Sequence, residues 1–338
     1  MPAIGDEAGI AADVDSRAVS RLQAIDSLLP ARLGEPVSCG TRFTALAADG
    51  SVAATAACEH SAGDPESLDI VWSAAVKFRL VPRVAGPEVR GPLDNLLTQW
   101  TGHLANVPGA DAGDSVAEVN WPSRDVAGVR ALLKHGFRTH GVVAARRTRQ
   151  PDAGPAGETA AGSAAGSAAP LADGVLIRRA GPADIEDVAR LGLEVVRYDS
   201  HFGGVVDRPH ALEALRRELP ALLTGTPYTW LAETGGRAVG LLAAERPAEA
   251  GWIAPLTRLS PVAYLMLMYV TPELRGSGIG AEMVRLYHRD LAQAEIPLSL
   301  LHHEQANPLS APFWNQQGYR PLWTSWERRP TRGPAARP

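Results

Sequence analysis

The stretch Pro151–Gly174, PDAGPAGETAAGSAAGSAAPLADG, is built almost wholly of Ala, Gly, Pro and Ser and carries no aromatic and no basic residue. A segment with so little to bury cannot join a hydrophobic core and reads as a tether between ordered units. It divides the 338 residues into a first domain over 1–150 and a second over 175–330, with a Pro- and Arg-rich tail over 331–338 that is expected to fray. Outside it, 45% hydrophobic and 21% charged residues are a globular composition. The formal net charge of −4 leaves no basic excess, so general nucleic-acid binding is not expected. No apolar run approaches the ~20 residues that span a bilayer. Met1–Asp15 carries Asp6, Glu7, Asp13 and Asp15 and no basic residue, unlike a secretory leader. Cys39 and Cys58 lie close together without metal-ligand spacing, so reduced thiols, a cytoplasmic location and no metal are expected.

The second part alternates strand and helix patterns. Val175–Arg179 is a short strand, and Gly181-Pro182-Ala183-Asp184 starts a helix with Ile185, Val188, Leu191 and Val195 near helical spacing. A second helix is expected over His210–Leu223. Strands over Tyr228–Glu233 and Ala238–Ala244 are joined by the hairpin turn Thr234-Gly235-Gly236-Arg237. Then come an apolar strand at Ala263–Val270, a helix at Gly278–Ala294, a strand at Pro297–His302, a helix at Ser310–Gln317 and a strand at Arg320–Trp326. This order implies a mixed sheet with helices on its faces. The first part repeats the later portion: helix Leu93–Leu104, strand Ser115–Val119, helix Val126–Lys134 and strand Val142–Arg146. Upstream there is room for a helix at Ser16–Leu29 but no evident first strand.

The informative stretch is the apolar strand Tyr264–Val270, the turn at Pro272, then Arg275-Gly276-Ser277-Gly278-Ile279-Gly280 opening a helix. Free N–H groups at a helix start converge on one point, and the macrodipole favours negative charge there. Glycines let a phosphate approach the backbone, and Arg275 supplies a fixed cation. This pattern predicts phosphate or pyrophosphate binding. Gly276, Gly278 and Ala281 also fit a dinucleotide fingerprint, with Glu304 as its acid, but the motif falls too late in the chain for that fold's second half. A Walker loop is excluded because no Gly-Lys-Ser/Thr follows.

Arg275-x-x-Gly278-x-Gly280 after Val270-x-Pro272 resembles the acyl-CoA signature of the GNAT N-acetyltransferase superfamily. The segment from Asn307 through Phe313-Trp314 to Gly318-Tyr319 resembles that family's late motif. The likeness covers Val175 to about Arg329. The first part looks like a degenerate second copy, with Trp121–Asp125 through Gly136-Phe137 as its late motif and Arg90-Gly91 as a reduced phosphate loop. The resemblance therefore implies an α/β protein of two GNAT-like domains, each a mixed, mostly antiparallel sheet flanked by helices, the first degenerate.

It further implies an acyl-CoA-dependent N-acyltransferase, using acetyl-CoA or another acyl-CoA as cosubstrate and a small-molecule amine as acceptor, in specialised metabolism such as antibiotic biosynthesis. No nucleic acid, membrane or metal takes part, and the chain is a monomer or homodimer. The alternative is an acyl-CoA-binding protein without catalysis. The implied CoA site is the backbone of Met268, Tyr269 and Val270, the loop Arg275, Gly276, Ser277, Gly278, Ile279 and Gly280, and Asn307, Phe313 and Trp314. Arg90 and Gly91 are the candidate CoA site of the first part, which is otherwise expected to scaffold the second. Tyr198–Phe202 stands where the family forms its acceptor pocket. The family's late-helix Tyr is missing, since Phe313-Trp314 stands in its place and an indole N–H is no acid near neutrality. His302, His303 and Tyr269, with Glu304, are the candidates for acid and base. Adjacent strand residues point to opposite faces, so His302 and His303 are not expected to share the cleft. Trp252, Trp323 and Trp326 are expected to be packing residues.

Overall fold

The apolar runs and helical stripes resolve into eleven strands and seven α-helices among the described residues, which in this computed structural model are 4–34, 40–148, 174–225 and 227–331. The first half runs α1 (Ile4–Ile25), β1 (Arg42–Leu46), β2 (Val52–Ala62), β3 (Val76–Val84), α2 (Arg90–Leu104), β4 (Ser115–Pro122), α3 (Val129–Lys134) and β5 (Arg138–Arg147). The second runs β6 (Val175–Arg179), α4 (Ile185–Ser200), α5 (Ala211–Glu218), β7 (Tyr228–Thr234), β8 (Arg237–Glu245), β9 (Val262–Val270), α6 (Ile279–Gln293), β10 (Leu298–Glu304), α7 (Ser310–Gln316) and β11 (Arg320–Arg328). The tether Pro151–Gly174 lies outside the described residues apart from Gly174.

Two expected segment bounds need correction. The first helix lies earlier than Ser16–Leu29 and stops at Ile25, because the Asp26 carboxylate accepts the Leu28 N–H at 2.9 Å and turns the chain. Leu28 and Leu29 are buried in that turn rather than in a helix. The tail also begins later than expected. Thr331 is fully buried, and its carbonyl accepts the Arg328 Nε–H at 2.8 Å.

Each half was expected to carry its own sheet. Instead all eleven strands form one sheet in the order β1-β2-β3-β4-β11-β5-β10-β9-β8-β7-β6. The parallel pairs are β3–β4 and β9–β10, and every other pair is antiparallel. Each half ends in a single strand after its last helix, which leaves a strand-wide gap beside its parallel pair. β5 fills the gap next to β10, and β11 fills the gap next to β4. Reciprocal insertion satisfies backbone groups that would otherwise line open edges.

Register places the helices. Trp121 of β4 and Val142 of β5 both stand opposite Thr324 of β11, so their side chains share one face. That face carries α2 and α3 over the first half and α6 and α7 over the second. The other face carries α4 and α5, with the end of α1 near the centre.

Loops also cross between the halves. Residues 63–75, joining β2 to β3, pack Leu68 and Val71 among Leu215 and Leu219 beneath α5. The Val206 N–H donates to the Val71 carbonyl at 2.8 Å, and Arg208 Nε donates to the Ile70 carbonyl at 2.6 Å. In return, residues 246–261 of the second half reach α1, where Thr257 Oγ1 donates to the Leu28 carbonyl at 2.8 Å.

Both parallel pairs diverge. β9 and β10 are paired only from Val262↔Leu298 to Leu265↔Leu301, and a bulge at Met266 turns β9 away. β3 and β4 part beyond Leu80↔Val119.

Cutting the chain within 151–174 should therefore not liberate two stable halves. Expressed alone, residues 1–150 and 174–338 should each aggregate or lack a cooperative transition, and co-expression should restore one soluble complex. Size-exclusion chromatography and circular dichroism check this. A monodisperse, cooperatively folded half would refute it.

Candidate active site

The loop after β9 has the backbone that its glycines permit. Gly276 and Gly278 adopt φ of 81° and 84°, a region costly for other residues, and Gly278 caps α6. The amides of Gly276, Gly278, Ile279 and Gly280 have no protein acceptor among the described residues. They are a set of orphan donors at the start of a fifteen-residue helix. A Cβ on Gly280 would lie 3.0 Å from Met268 Cε and 3.3 Å from Phe313 Cζ, so a side chain there would press on both neighbours. Arg275 folds over the rings of Tyr198 and Tyr269, at 5.1 and 5.7 Å from their centroids, and its Nε donates to the Val270 carbonyl at 3.1 Å.

These residues line a groove of about 410 Å³ with Met268, Tyr269, Val270, Asn307, Phe313 and Trp314. Ser277 turns away, its hydroxyl donating to the Leu274 carbonyl at 2.6 Å. The polar atoms of Asn307 are spent inside the protein. Its Oδ1 accepts the Leu309 N–H at 3.0 Å, and its Nδ2 donates to Asp199 Oδ1 at 3.0 Å. Asn307 thus ties the start of α7 to the end of α4.

The groove meets a second cavity, of about 540 Å³, at Val195, Asp199, Met268, Ser310 and Trp314. Asp199 is the titratable group at that junction. Burial, and then the charge of Glu304, push its carboxyl up to about 6, against the Asn307 hydrogen bond. Glu304 is itself buried, and its Oε2 lies 3.0 Å from His140 Nδ1. Burial opposes charge on His140, but the hydrogen bond and charge of Glu304 prevail and raise its pKa. Glu327 Oε1 stands 3.9 Å from the same nitrogen. His140 belongs to the first half. Insertion of β5 beside β10 brings it here, and its carbonyl accepts the Gln305 N–H at 2.7 Å.

His302 and His303 both border the larger cavity, contrary to the alternation argument, because β10 ends where the strands have diverged and the cavity wraps its tip. His302 Nδ1 is 3.1 Å from the Tyr264 hydroxyl. Protein packed around it, and then the His140 cation, push its pKa down to about 4. Its exposure to the cavity lets water offset part of that desolvation, and the direction leaves a neutral imidazole at pH 7. Burial also lowers His303. Neither histidine lies in the phosphate-loop groove, whereas Tyr269 does.

Trp314 is buried edge-on to Tyr319 at 5.3 Å. Tyr319 is a core residue, with its hydroxyl 2.7 Å from Ser299 Oγ and 3.0 Å from His288 Nε2. Of Tyr198–Phe202, only Tyr198 and Asp199 reach the cavities. Trp323 and Trp326 are buried, but Trp252 is 56% exposed and faces the cleft, so the packing reading fails for it.

The first-half loop differs in kind. α2 starts at Arg90, and the Gly91 N–H donates to its own loop's Glu88 carboxylate at 2.7 Å. An acid occupies the place of a phosphate and would repel one, and Pro92 removes a further donor. This argues against the CoA site expected at Arg90 and Gly91. Where β3 and β4 diverge there is a cavity of about 290 Å³, and α1 closes one side through Ala18, Arg21 and Leu22.

The sequence pattern of the acetyltransferase (GNAT) family matches residues 197–319. No curated protein matches the chain. Among solved structures, a GCN5-related N-acetyltransferase from Sphaerobacter thermophilus is similar over 95% of this chain and 95% of its own, at 16% identity and a TM-score of 0.56. The tandem GNAT protein from the clavulanic acid biosynthesis pathway is similar over 99% and 98%, at 13% identity and a TM-score of 0.44. The fold of the first of these structures extends over both halves of this chain, and the match to the acetyltransferase (GNAT) family lies within the second half.

Proposed function

We propose that the chain transfers an acyl group, acetyl foremost, from acyl-CoA to an amine of a small molecule, with the reaction confined to the second half. The supporting observation is a groove of unpartnered amides and an arginine that opens, at Asp199, into a larger cavity bordered by carboxylates. On this reading residues 1–150 and 175–330 are two copies of one plan. The first supplies walls of the acceptor cavity rather than a second reaction centre.

Acyl-CoA supplies the activated acyl group. The amides of Gly276, Gly278, Ile279 and Gly280 and the Arg275 side chain hold its pyrophosphate. The amine nitrogen must be unprotonated to form the new C–N bond as the C–S bond breaks. Asp199, ionised at pH 7 and poised at the junction, accepts the proton that nitrogen sheds and returns it to the departing sulfur. Asn307 orients Asp199, and the Glu304–His140 pair beside it sets its electrostatics. The histidines of β10 become acceptor-binding rather than proton-transfer residues. Trp314 in place of a phenol favours the second reading, CoA binding without turnover, because no acid stands at that position.

Arg275→Ala should weaken acetyl-CoA binding by about 1.5–3 kcal/mol, the range for a hydrogen bond to a charged group. Gly278→Val should weaken it more, since the loop needs the left-handed conformation. Calorimetric titration measures both, and unchanged affinity in the two variants would place CoA elsewhere. Release of free CoA from acetyl-CoA with a panel of amines separates the enzyme from the silent binder.

The rate should rise as pH passes through about 6, as Asp199 ionises. Asp199→Asn should remove that limb and lower the rate roughly 10²-fold or more. The same change should stabilise the fold. A carboxyl whose folded pKa is raised is tolerated while protonated, and its cost grows from the unfolded carboxylate range up through about 6. The variant should therefore melt higher near neutral pH, with the gain fading towards roughly pH 4. Calorimetric melting at the two pH values checks the sign.

A further inference from the structure

Glu245 closes β8 opposite Tyr264 of β9. It is half-buried, and its Oε2 accepts the Trp252 indole N–H at 2.8 Å. Oε1 has no hydrogen-bond partner and no cation pairs with the carboxylate among the described residues, whereas neighbouring Glu249 is clamped to Arg246 at 2.5 Å. A carboxylate drawn out of water without a counter-charge is costly, and the cost is recovered when a cation arrives.

Trp252 and Tyr264 adjoin this acid, and His302 packs against both rings. Trp252 stacks over His302 at 6.0 Å with planes 8° apart, and meets Tyr264 edge-on at 4.9 Å. Tyr264 and His302 are joined by their hydrogen bond. Trp252 holds this place although most of its surface is open, an arrangement that core packing does not require. All four side chains border the acceptor cavity. Two permanent cations stand on β3 at the same cavity: Lys77, and Arg79, which already faces Glu59 and Glu118 at 3.8 and 3.5 Å. A carboxylate at the edge of an aromatic cluster attracts a cationic nitrogen by its charge, and the ring faces nearby add their quadrupoles.

The spacing fits a substrate held at two points. His302 and Glu304 are two residues apart on β10, about 6.5 Å along the strand. The reacting amine, on the reading above, lies by Asp199 and Glu304. We propose that Glu245, Trp252, Tyr264 and His302 form a subsite for a second, charged nitrogen, so that the acceptor is a small dicationic amine whose two nitrogens are a few bonds apart. This rests on the acyl-transfer reading, which supplies the other end of the molecule.

The test titrates the full chain, saturated with CoA near neutral pH, with 1,4-diaminobutane and with butylamine, and extends to 1,3-diaminopropane and 1,6-diaminohexane. The diamine of best-matched length should bind roughly tenfold more tightly than butylamine. Glu245→Gln and Trp252→Ala should each reduce it to the monoamine level with CoA affinity unchanged. Equal affinity for monoamine and diamines, an undiminished preference in Glu245→Gln, or no binding of any diamine would overturn the subsite. Release of free CoA from acetyl-CoA is followed in parallel. Diamine selectivity lost in Glu245→Gln, without turnover of any amine by the unaltered chain, upholds the subsite and removes the acyl-transfer reading. Monoamines acylated as efficiently as diamines would uphold transfer and remove the subsite.

Discussion

Hydrogen bonding of β5 to β10 on one side and to β11 on the other holds the two halves in one sheet, and the rest of the structure depends on it. With β5 in place, β10 has a continuous partner along its length and is free to part from β9 beyond Leu301 without becoming an open edge. The divergence of β9 and β10 is what makes room between the phosphate-loop groove and the larger cavity. The gap is therefore a consequence of pairing elsewhere and not of weak strands. The apolar faces behave likewise. Leu300 and Val143 pack in one cluster, and Leu301 and Val142 in another, so strands from different halves share cores on both sides of the sheet.

That interlock also determines what surrounds the chemistry. His140 rides in on β5, while Trp72 and Ser73 arrive on the 63–75 connection. Trp72 Nε1 and Ser73 Oγ are buried without a protein partner among the described residues. Asp199 and Asn307 come from the second half alone, locked by a hydrogen bond between a helix end and a helix start. The groove at the glycine loop is lined by one half and the larger cavity by both.

What was legible in the sequence was local. A glycine loop between an apolar strand and a helix fixes its own backbone, so Arg275–Gly280 could be read before any coordinates. The hairpin at Gly235-Gly236 could too, and both glycines have positive φ. Asp199 was within reach through the aromatic and acidic run at the end of α4. His140 was not, because Thr139-His140-Gly141 carries no mark of which strand will lie alongside. Trp252 was misread for the same reason. Whether an indole is core or wall depends on partners from β9 and β10, far away in sequence. The single sheet was hidden because strand patterns report which face is apolar but not which chain segment is the neighbour.

The reciprocal insertion of β5 and β11 has a consequence for how this protein responds to dilution. Two separate chains sharing strands in this way would be held by mass action, and the cavity between them would be lost as their concentration fell. Here both strands belong to one polypeptide, so the encounter that joins the halves is intramolecular, with an effective concentration set by the intervening chain. The completeness of the site is thereby independent of how much protein is present. The two halves are also fixed as a non-identical pair, so each can differ from the other in sequence without a population of mismatched partners.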